Sequence, residues 1–339
     1  MTAEETLKAT ARMMMAPGKG ILAIDETTPT CTTRFAEFGI ESTEDSRCTY
    51  REMLVTTPGV GEYISGAILF DETIRQVTSD GNPFVHTLKA AGIIPGIKVD
   101  TGARPLEKAP GENVTEGLDG LTKRLNEYRE FGARFTKWRA VFRIGPGLPS
   151  WYCVQTNAHA LARYATLTQE TGLVPIVEPE VLMDGDHDIH RCRDVTEQVL
   201  MAVFDELAAQ QCLLEGIILK PNMVTAGKSS RVQAEASETA ELTLTALRRC
   251  VPAAVPGIAF LSGGQTGEEA CANIDAMASS GPLPWELSFS FGRALQYPAL
   301  QIWGGNPANV PAARQALLHR ARMSSLARMG VYSRDMEPC

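Results

Sequence analysis

The sequence has no run of the ~18 apolar residues that a membrane span requires. Its opening stretch, MTAEETLKATARMMMAPGKG, has neither the apolar centre of a secretory signal nor the Arg/Ser-rich character of a transit peptide. It also lacks a positive excess. The formal net charge is −8, which argues against nucleic acid or an acidic membrane surface as partner. An anionic substrate would therefore need a local cluster of cations working against the overall field. The eight cysteines (31, 48, 153, 192, 212, 250, 271 and 339) include no C-x-x-C pair. A chain of 339 residues, 44% of them hydrophobic, can build a core without covalent staples. The cysteines thus read as reduced thiols of a cytosol-like compartment, although a mature plastid protein would look the same. Cys192 has arginines on both sides, as a reactive thiolate would, but an ordinary helix thiol fits the position better.

Histidine is scarce: His86, His159, His187, His190 and His319. The pair in DGDHDIH looks metal-like, yet it falls where a long helix begins, and acidic residues there complement the helix dipole. Neither a metal nor a cofactor is expected. Two nucleotide-loop patterns are near misses. NMVTAGKSS has Asn222 where a phosphate loop has its first glycine, and GVGEYISG does not space its glycines as G-x-G-x-x-G. The chain also lacks an obvious linker, a short repeat and a low-complexity segment.

What is present is a rhythm. Strand-like apolar runs occur at Ile21–Ile24, Ala67–Phe70, Ile93–Val99, Val141–Ile144, Leu173–Val177, Gly216–Leu219, Ile258–Leu261 and Leu287–Phe289. They are nearly continuous rather than alternating, as strands buried on both faces are. Between them lie helical patterns at Leu118–Phe131, Asn157–Glu170, His187–Gln210, Ser237–Arg249 and Thr266–Ala278, with a last helix at about 307–329. Thr2 and Glu5 predict a capping box for a first helix over 2–15, and the tail 330–339 is polar enough to be loose. Alternating strand and helix implies parallel β/α units. Eight such units predict an α/β protein with one domain, a (β/α)8 TIM barrel over 1–339; an open doubly wound sheet is the alternative.

A barrel keeps its chemistry where the strands end. Asp25 and Glu26 end strand one, Asp71 and Glu72 strand two, and Lys98 and Asp100 strand three. Lys137 and Arg139 stand at the start of strand four, with Arg143 near its end, and Glu178 and Glu180 end strand five. Lys220 ends strand six, Ser262, Gly263 and Gly264 strand seven, and Ser290, Gly292 and Arg293 strand eight. Any one of these could be a solvated charge; together they converge on one rim with unlike signs. GIILKPNMV places Lys220 straight after a buried run, and Pro221 stops the strand there. A desolvated lysine beside another cation tends toward the free amine, and a free amine attacks a carbonyl to form a Schiff base. Lys137 is the expected second cation. The glycine turns in LSGGQTGEEA and SFSFGRALQ each precede a helix start, and their N–H groups suit a phosphate. These residues predict a lysine-dependent enzyme acting on a phosphorylated carbonyl compound, with Asp25 and Glu178 moving protons.

The stretches GKGILAIDETTPTCTTRF, GIKVDTG, KWRAVFRI, GLVPIVEPE, LEGIILKPNMVT, FLSGGQ and SFSFGRALQ, in that order from about residue 17 to about residue 330, resemble class I (Schiff-base-forming) fructose-bisphosphate aldolase. The resemblance implies a lyase of glycolysis and gluconeogenesis or the Calvin cycle, commonly a homotetramer in the cytoplasm. It would cleave fructose 1,6-bisphosphate reversibly to dihydroxyacetone phosphate and glyceraldehyde 3-phosphate. By resemblance, Lys220 forms the Schiff base, Glu178 transfers protons with Glu180 beside it, and Asp25 and Lys137 assist. Thr30, Arg34, Lys98, Arg139, Ser262, Gly263, Gly264, Ser290, Gly292 and Arg293 would bind substrate, and Arg47 is a weaker match at the rim. The chain departs from the family pattern in three places. Thr27 and Thr30 stand where serine is usual, and Pro29 replaces a glycine. The last tyrosine, Tyr332, aligns with the start of the family's tail rather than its tyrosine tip, so slow C3 proton exchange, or its handling by another group, is expected. A non-catalytic scaffold that keeps the barrel and binds a partner protein is the alternative; substituted rim residues would favour it, and they are present.

Overall fold

The computed structural model describes residues 2–338. Eight strands form the barrel: β1 Gly20–Ile24, β2 Ile64–Leu69, β3 Ile94–Lys98, β4 Phe135–Phe142, β5 Val174–Val181, β6 Ile218–Leu219, β7 Gly257–Phe260 and β8 Glu286–Phe291. Each pairs in parallel with its neighbours, and β1 closes the ring against β8. The TIM barrel expected from the alternation is therefore observed, and the open sheet is not. Between β3 and β4 runs a small antiparallel hairpin, Gly102–Pro105 with Asn113–Glu116.

The helix Ala3–Met14 explains how the lower end of the barrel is filled. Thr2 and Glu5 cap it reciprocally, the Glu5 N–H donating to Thr2 Oγ1 at 3.2 Å and the Thr2 N–H to Glu5 Oε2 at 2.7 Å. Its Leu7, Ala11 and Met14, with Met15, pack on Ile21, Ile68, Phe135, Ile176, Ile218 and Ala259 from the barrel interior. Gly96 makes room for Phe135: a Cβ there would lie 2.2 Å from the ring. A second and larger apolar cluster joins the outer faces of the strands to the surrounding helices. The charged residues are thereby left to the opposite, C-terminal end.

Several expectations need correction. Strand four was expected at 141–144, but it spans Phe135–Phe142, so Lys137 and Arg139 lie within it rather than at its start. In FTKWRAVF the charged side chains alternate with Trp138 and Ala140, and the period of two puts them on the barrel's inner face. Strand five runs through Pro179 to Val181 instead of stopping at Val177. The helices Thr28–Ala36, Glu44–Val55 and Phe84–Ala90 were not foreseen, whereas the helix start read in SFSFGRALQ is present as Arg293–Trp303. Nor is the tail loose over 330–338. The Tyr332 N–H donates to Asp275 Oδ1 at 2.7 Å and its hydroxyl to Glu337 Oε1 at 3.0 Å. Glu337 also pairs with Arg320 and lies 2.8 Å from His319 Nε2. Cys339 lies outside the described residues.

Candidate active site

Strand register brings the charged residues together. Along β4 and β5, Lys137 pairs with Ile176, Arg139 with Glu178 and Val141 with Glu180. Across to β3, Lys98 pairs with Lys137. On the other side Val177 pairs with Leu219, and the Lys220 N–H extends the ladder to Val177 O at 2.8 Å. Asn222 then fixes that junction: its Oδ1 accepts from the Val181 N–H at 3.0 Å, while its amide donates to Thr196 Oγ1 at 3.1 Å. Glu178 and Lys220 are held face to face by backbone rather than by chance of rotamer.

The floor of the cleft is a row of alternating charges. Lys137 Nζ lies 2.6 Å from Asp25 Oδ2 and 3.3 Å from Glu178 Oε2, and Lys220 Nζ lies 3.1 Å from Glu178 Oε1. Lys137, Glu178 and Lys220 are only 3%, 3% and 4% exposed, so water screens these pairs little. Burial alone would raise the Asp25 carboxyl, but Lys137, followed by Lys220 and Lys98, brings it down to about 2. Burial also works against the Glu178 carboxylate, and Lys137, Lys220 and Arg139 outweigh it, holding it below its ordinary value. For Lys137 burial opposes the charge, while Asp25 and Glu178 more than restore it, above the usual lysine range. Lys137 is thus a fixed ammonium between two fixed carboxylates.

The Asp25 shift has a measurable consequence. Its folded value is depressed from 3.8 to about 2, so its contribution is complete above pH 3.8 and is lost as pH falls through about 2. That contribution is about 2 kcal/mol. Denaturant melts of the wild type and Asp25→Asn should differ by about that amount at pH 5 and converge toward pH 2.

The rim surrounds this floor. The cleft has a volume of about 570 Å³ and is lined by Asp25, Thr30, Arg34, Lys98, Lys137, Arg139, Glu178, Glu180, Lys220, Ser262, Gly263, Ser290, Gly292 and Arg293 from the expected set. Arg34 pairs with Glu26, Arg139 with Glu180, and Lys98 with Asp100 at 2.5 Å. Thr27 and Thr30 join their hydroxyls at 3.0 Å. Gly264 is not a wall of the cleft and lies one residue further out. Arg47 is not a wall either; it is buried and grips Glu72 through two nitrogens, at 2.9 and 2.5 Å. Tyr332 is bound to Glu337, away from the cleft lining.

Glu26, read at the end of strand one but given no role, also lines the cleft, as do Thr33 and Glu37, which sequence reasoning left out. Glu26 adjoins Asp25 at the end of β1, and a signal for it was present. Thr33 and Glu37 come from the unforeseen helix Thr28–Ala36 and its C-terminal cap. The DGDHDIH stretch starts a helix as expected, Asp188 accepting from the Arg191 N–H at 2.7 Å. No group of three or more His, Cys, Asp or Glu side chains among the described residues is placed to hold a metal. Cys192 is buried, and burial pushes its thiol up to about 11, unlike a reactive thiolate. No helix among the described residues is long and apolar enough to cross a membrane.

Comparison with known proteins agrees with this arrangement over almost the whole length. The family model described as Fructose-bisphosphate aldolase class-I matches residues 6–338. A Xanthomonas axonopodis protein named probable fructose-bisphosphate aldolase class 1 is 57% identical over 327 residues, covering 96% of this chain and 98% of that protein. An Arabidopsis thaliana protein named fructose-bisphosphate aldolase 6, cytosolic, is 53% identical over 333 residues, covering 98% of this chain and 92% of its own length. The fructose-bisphosphate aldolase of Plasmodium falciparum, solved with TRAP and a small-molecule inhibitor, superposes with a TM-score of 0.97 at 47% identity, covering 98% of this chain and 96% of that one. A barrel of this register, carrying its lysines and carboxylates at these strand ends, belongs to the class I fructose-bisphosphate aldolase family.

Proposed function

We propose that this protein cleaves fructose 1,6-bisphosphate reversibly through an imine on Lys220. One observation carries the assignment of roles. Glu178 holds Lys220 on one oxygen, while its other oxygen, Oε2, is buried, lies 3.3 Å from Lys137 and has no aligned hydrogen-bond donor. That oxygen is an acceptor waiting for a proton.

The steps follow. The Lys220 amine attacks the C2 ketone, and water leaves as the protonated imine forms. Glu178, in reach of Nζ, takes up and returns the protons this exchange requires. It then accepts the C4 hydroxyl proton as the C3–C4 bond breaks and glyceraldehyde 3-phosphate departs. The electron pair of that bond flows into the iminium, giving an enamine. Protonation at C3 and hydrolysis release dihydroxyacetone phosphate and restore the amine. Lys137 keeps Asp25 ionised throughout and favours the carboxylate form of Glu178 between proton transfers, and Asp25 assists the proton movement. Thr30, Arg34, Lys98 and Arg139 meet one end of the bisphosphate, and Ser262, Gly263, Ser290, Gly292 and Arg293 the other. The family likeness further supports a homotetramer and a cytosolic setting; named relatives include both cytosolic and chloroplastic proteins.

The test is covalent capture. Borohydride added with fructose 1,6-bisphosphate should reduce the imine to a stable secondary amine, and mass spectrometry should find the adduct on the Lys220 peptide. Cleavage should survive a chelator, because the electron sink is the iminium. An adduct on another lysine, or cleavage without trapping, would refute this mechanism.

A further inference from the structure

The stretch NMVTAGKSS, which fails as a nucleotide loop, contains a lysine that the steps above do not use. The N–H groups of Gly227, Lys228 and Ser229 donate to the carbonyls of His187, Met183 and Gly185, each at 2.8 Å. Three successive bonds fix this backbone against the segment that follows β5, although the Lys228 side chain is exposed. That side chain reaches the loop after β7. Its Nζ is 2.5 Å from the point that a Cβ on Gly264 would occupy, and a guanidinium nitrogen of Arg293 is 3.3 Å from the same point. Gly264 has φ +94, so a side chain there would be strained as well as obstructed.

These two cations differ from the others at the mouth. Arg34, Lys98, Lys137, Arg139 and Lys220 each have a carboxylate partner. Among the described residues, Arg293 and Lys228 have none within ion-pair distance, yet they converge on one glycine. The N–H groups of Gly263 and Gly264 likewise find no acceptor among the described residues, while the Gln265 N–H closes the turn onto Ser262 O at 2.9 Å. Ser290, 1% exposed, lines the cleft with its hydroxyl unpartnered. Two cations without a carboxylate partner meet beside this turn, and the Gly263 and Gly264 N–H groups and the Ser290 hydroxyl are further unused donors of the kind a dianion takes up.

We infer that Lys228 is a further substrate-recognition residue, clasping the C1 phosphate of the ketose with Arg293 and the Gly263–Gly264 turn. The inference rests on the aldolase reading. The choice of C1 follows from the strand order. β7 adjoins β6, and the Leu261 N–H bonds Pro221 O at 3.1 Å. The loop after β7 is therefore next to the lysine that bonds C2, and C1 is the carbon beside C2.

Steady-state kinetics of Lys228→Gln and Lys228→Arg, with fructose 1,6-bisphosphate and with fructose 1-phosphate, test it. For Lys228→Gln, KM should rise about tenfold for both substrates while kcat stays within about twofold. Lys228→Arg should recover most of the loss. Raising the salt should narrow the gap between wild type and variant, because the site is open to solvent. An unchanged KM makes Lys228 an ordinary surface lysine and overturns the inference, as does a loss confined to the bisphosphate, which would put the contact at C6. A wild type that fails to cleave, or to trap on Lys220, would sink the aldolase reading itself. Normal wild-type behaviour with an indifferent Lys228→Gln sinks only this assignment.

Discussion

Lys220→Ala should lose cleavage by on the order of 10⁵-fold or more in kcat, the scale on which removal of an attacking nucleophile acts. No neighbour can replace it. Lys137 is committed to Asp25 and Glu178, and Lys98 is tied to Asp100. The substitution also removes the Nζ that lies 3.1 Å from Glu178, but Lys137 remains on that carboxylate, so the fold should survive and substrate should still bind through its phosphates. Stopped assays on the purified variant, with a melt to confirm folding, give the measurement. Cleavage within tenfold of wild type would mean that another group carries the carbonyl.

Glu178→Gln should have the second-largest effect. It keeps the shape and removes both the proton acceptor and the carboxylate that Lys137 and Lys220 share. Loss of a positioned general base costs about 10²–10⁴-fold in kcat. Breaking the buried pair of Glu178 with Lys137 costs up to about 3–5 kcal/mol of stability, partly offset because Lys137 retains Asp25 at 2.6 Å. The two losses separate experimentally: kcat reports the first and denaturant melts the second. A variant as active as wild type would remove Glu178 from the chemistry, whatever its stability.

The barrel, and a lysine at its mouth, were legible for definite reasons. Strands buried on both faces leave continuous apolar runs, and Pro221 marks where β6 must stop, which singles out Lys220. The limits were equally physical. Lys137 and Arg139 point into the mouth from within β4, so the strand that carries them does not look apolar there. Pro179 reads as a stop, yet β5 passes through it because the ladder there does without its N–H. The helix Thr28–Ala36 is threonine-rich with Pro29 in its first turn, and its two buried residues, Cys31 and Phe35, make too short an apolar stripe to read. The tail is held by Glu337 reaching Arg320 and His319, and partners on another element leave no periodicity to read. Lys228 sits at the end of no strand, and only the folded loops bring it to Gly264.

Because β1 closes against β8, through Ile21 with Ser290 and Leu22 with Phe291, the two ends of the polypeptide meet only at the finish. During synthesis, Asp25 waits for Arg293 on the order of tens of seconds at ordinary elongation rates. Throughout that wait the growing sheet has a bare edge at β1, open to pairing with another nascent strand. A ribosome stalled before β8 therefore releases an inert fragment with an adhesive border, never a weakened enzyme.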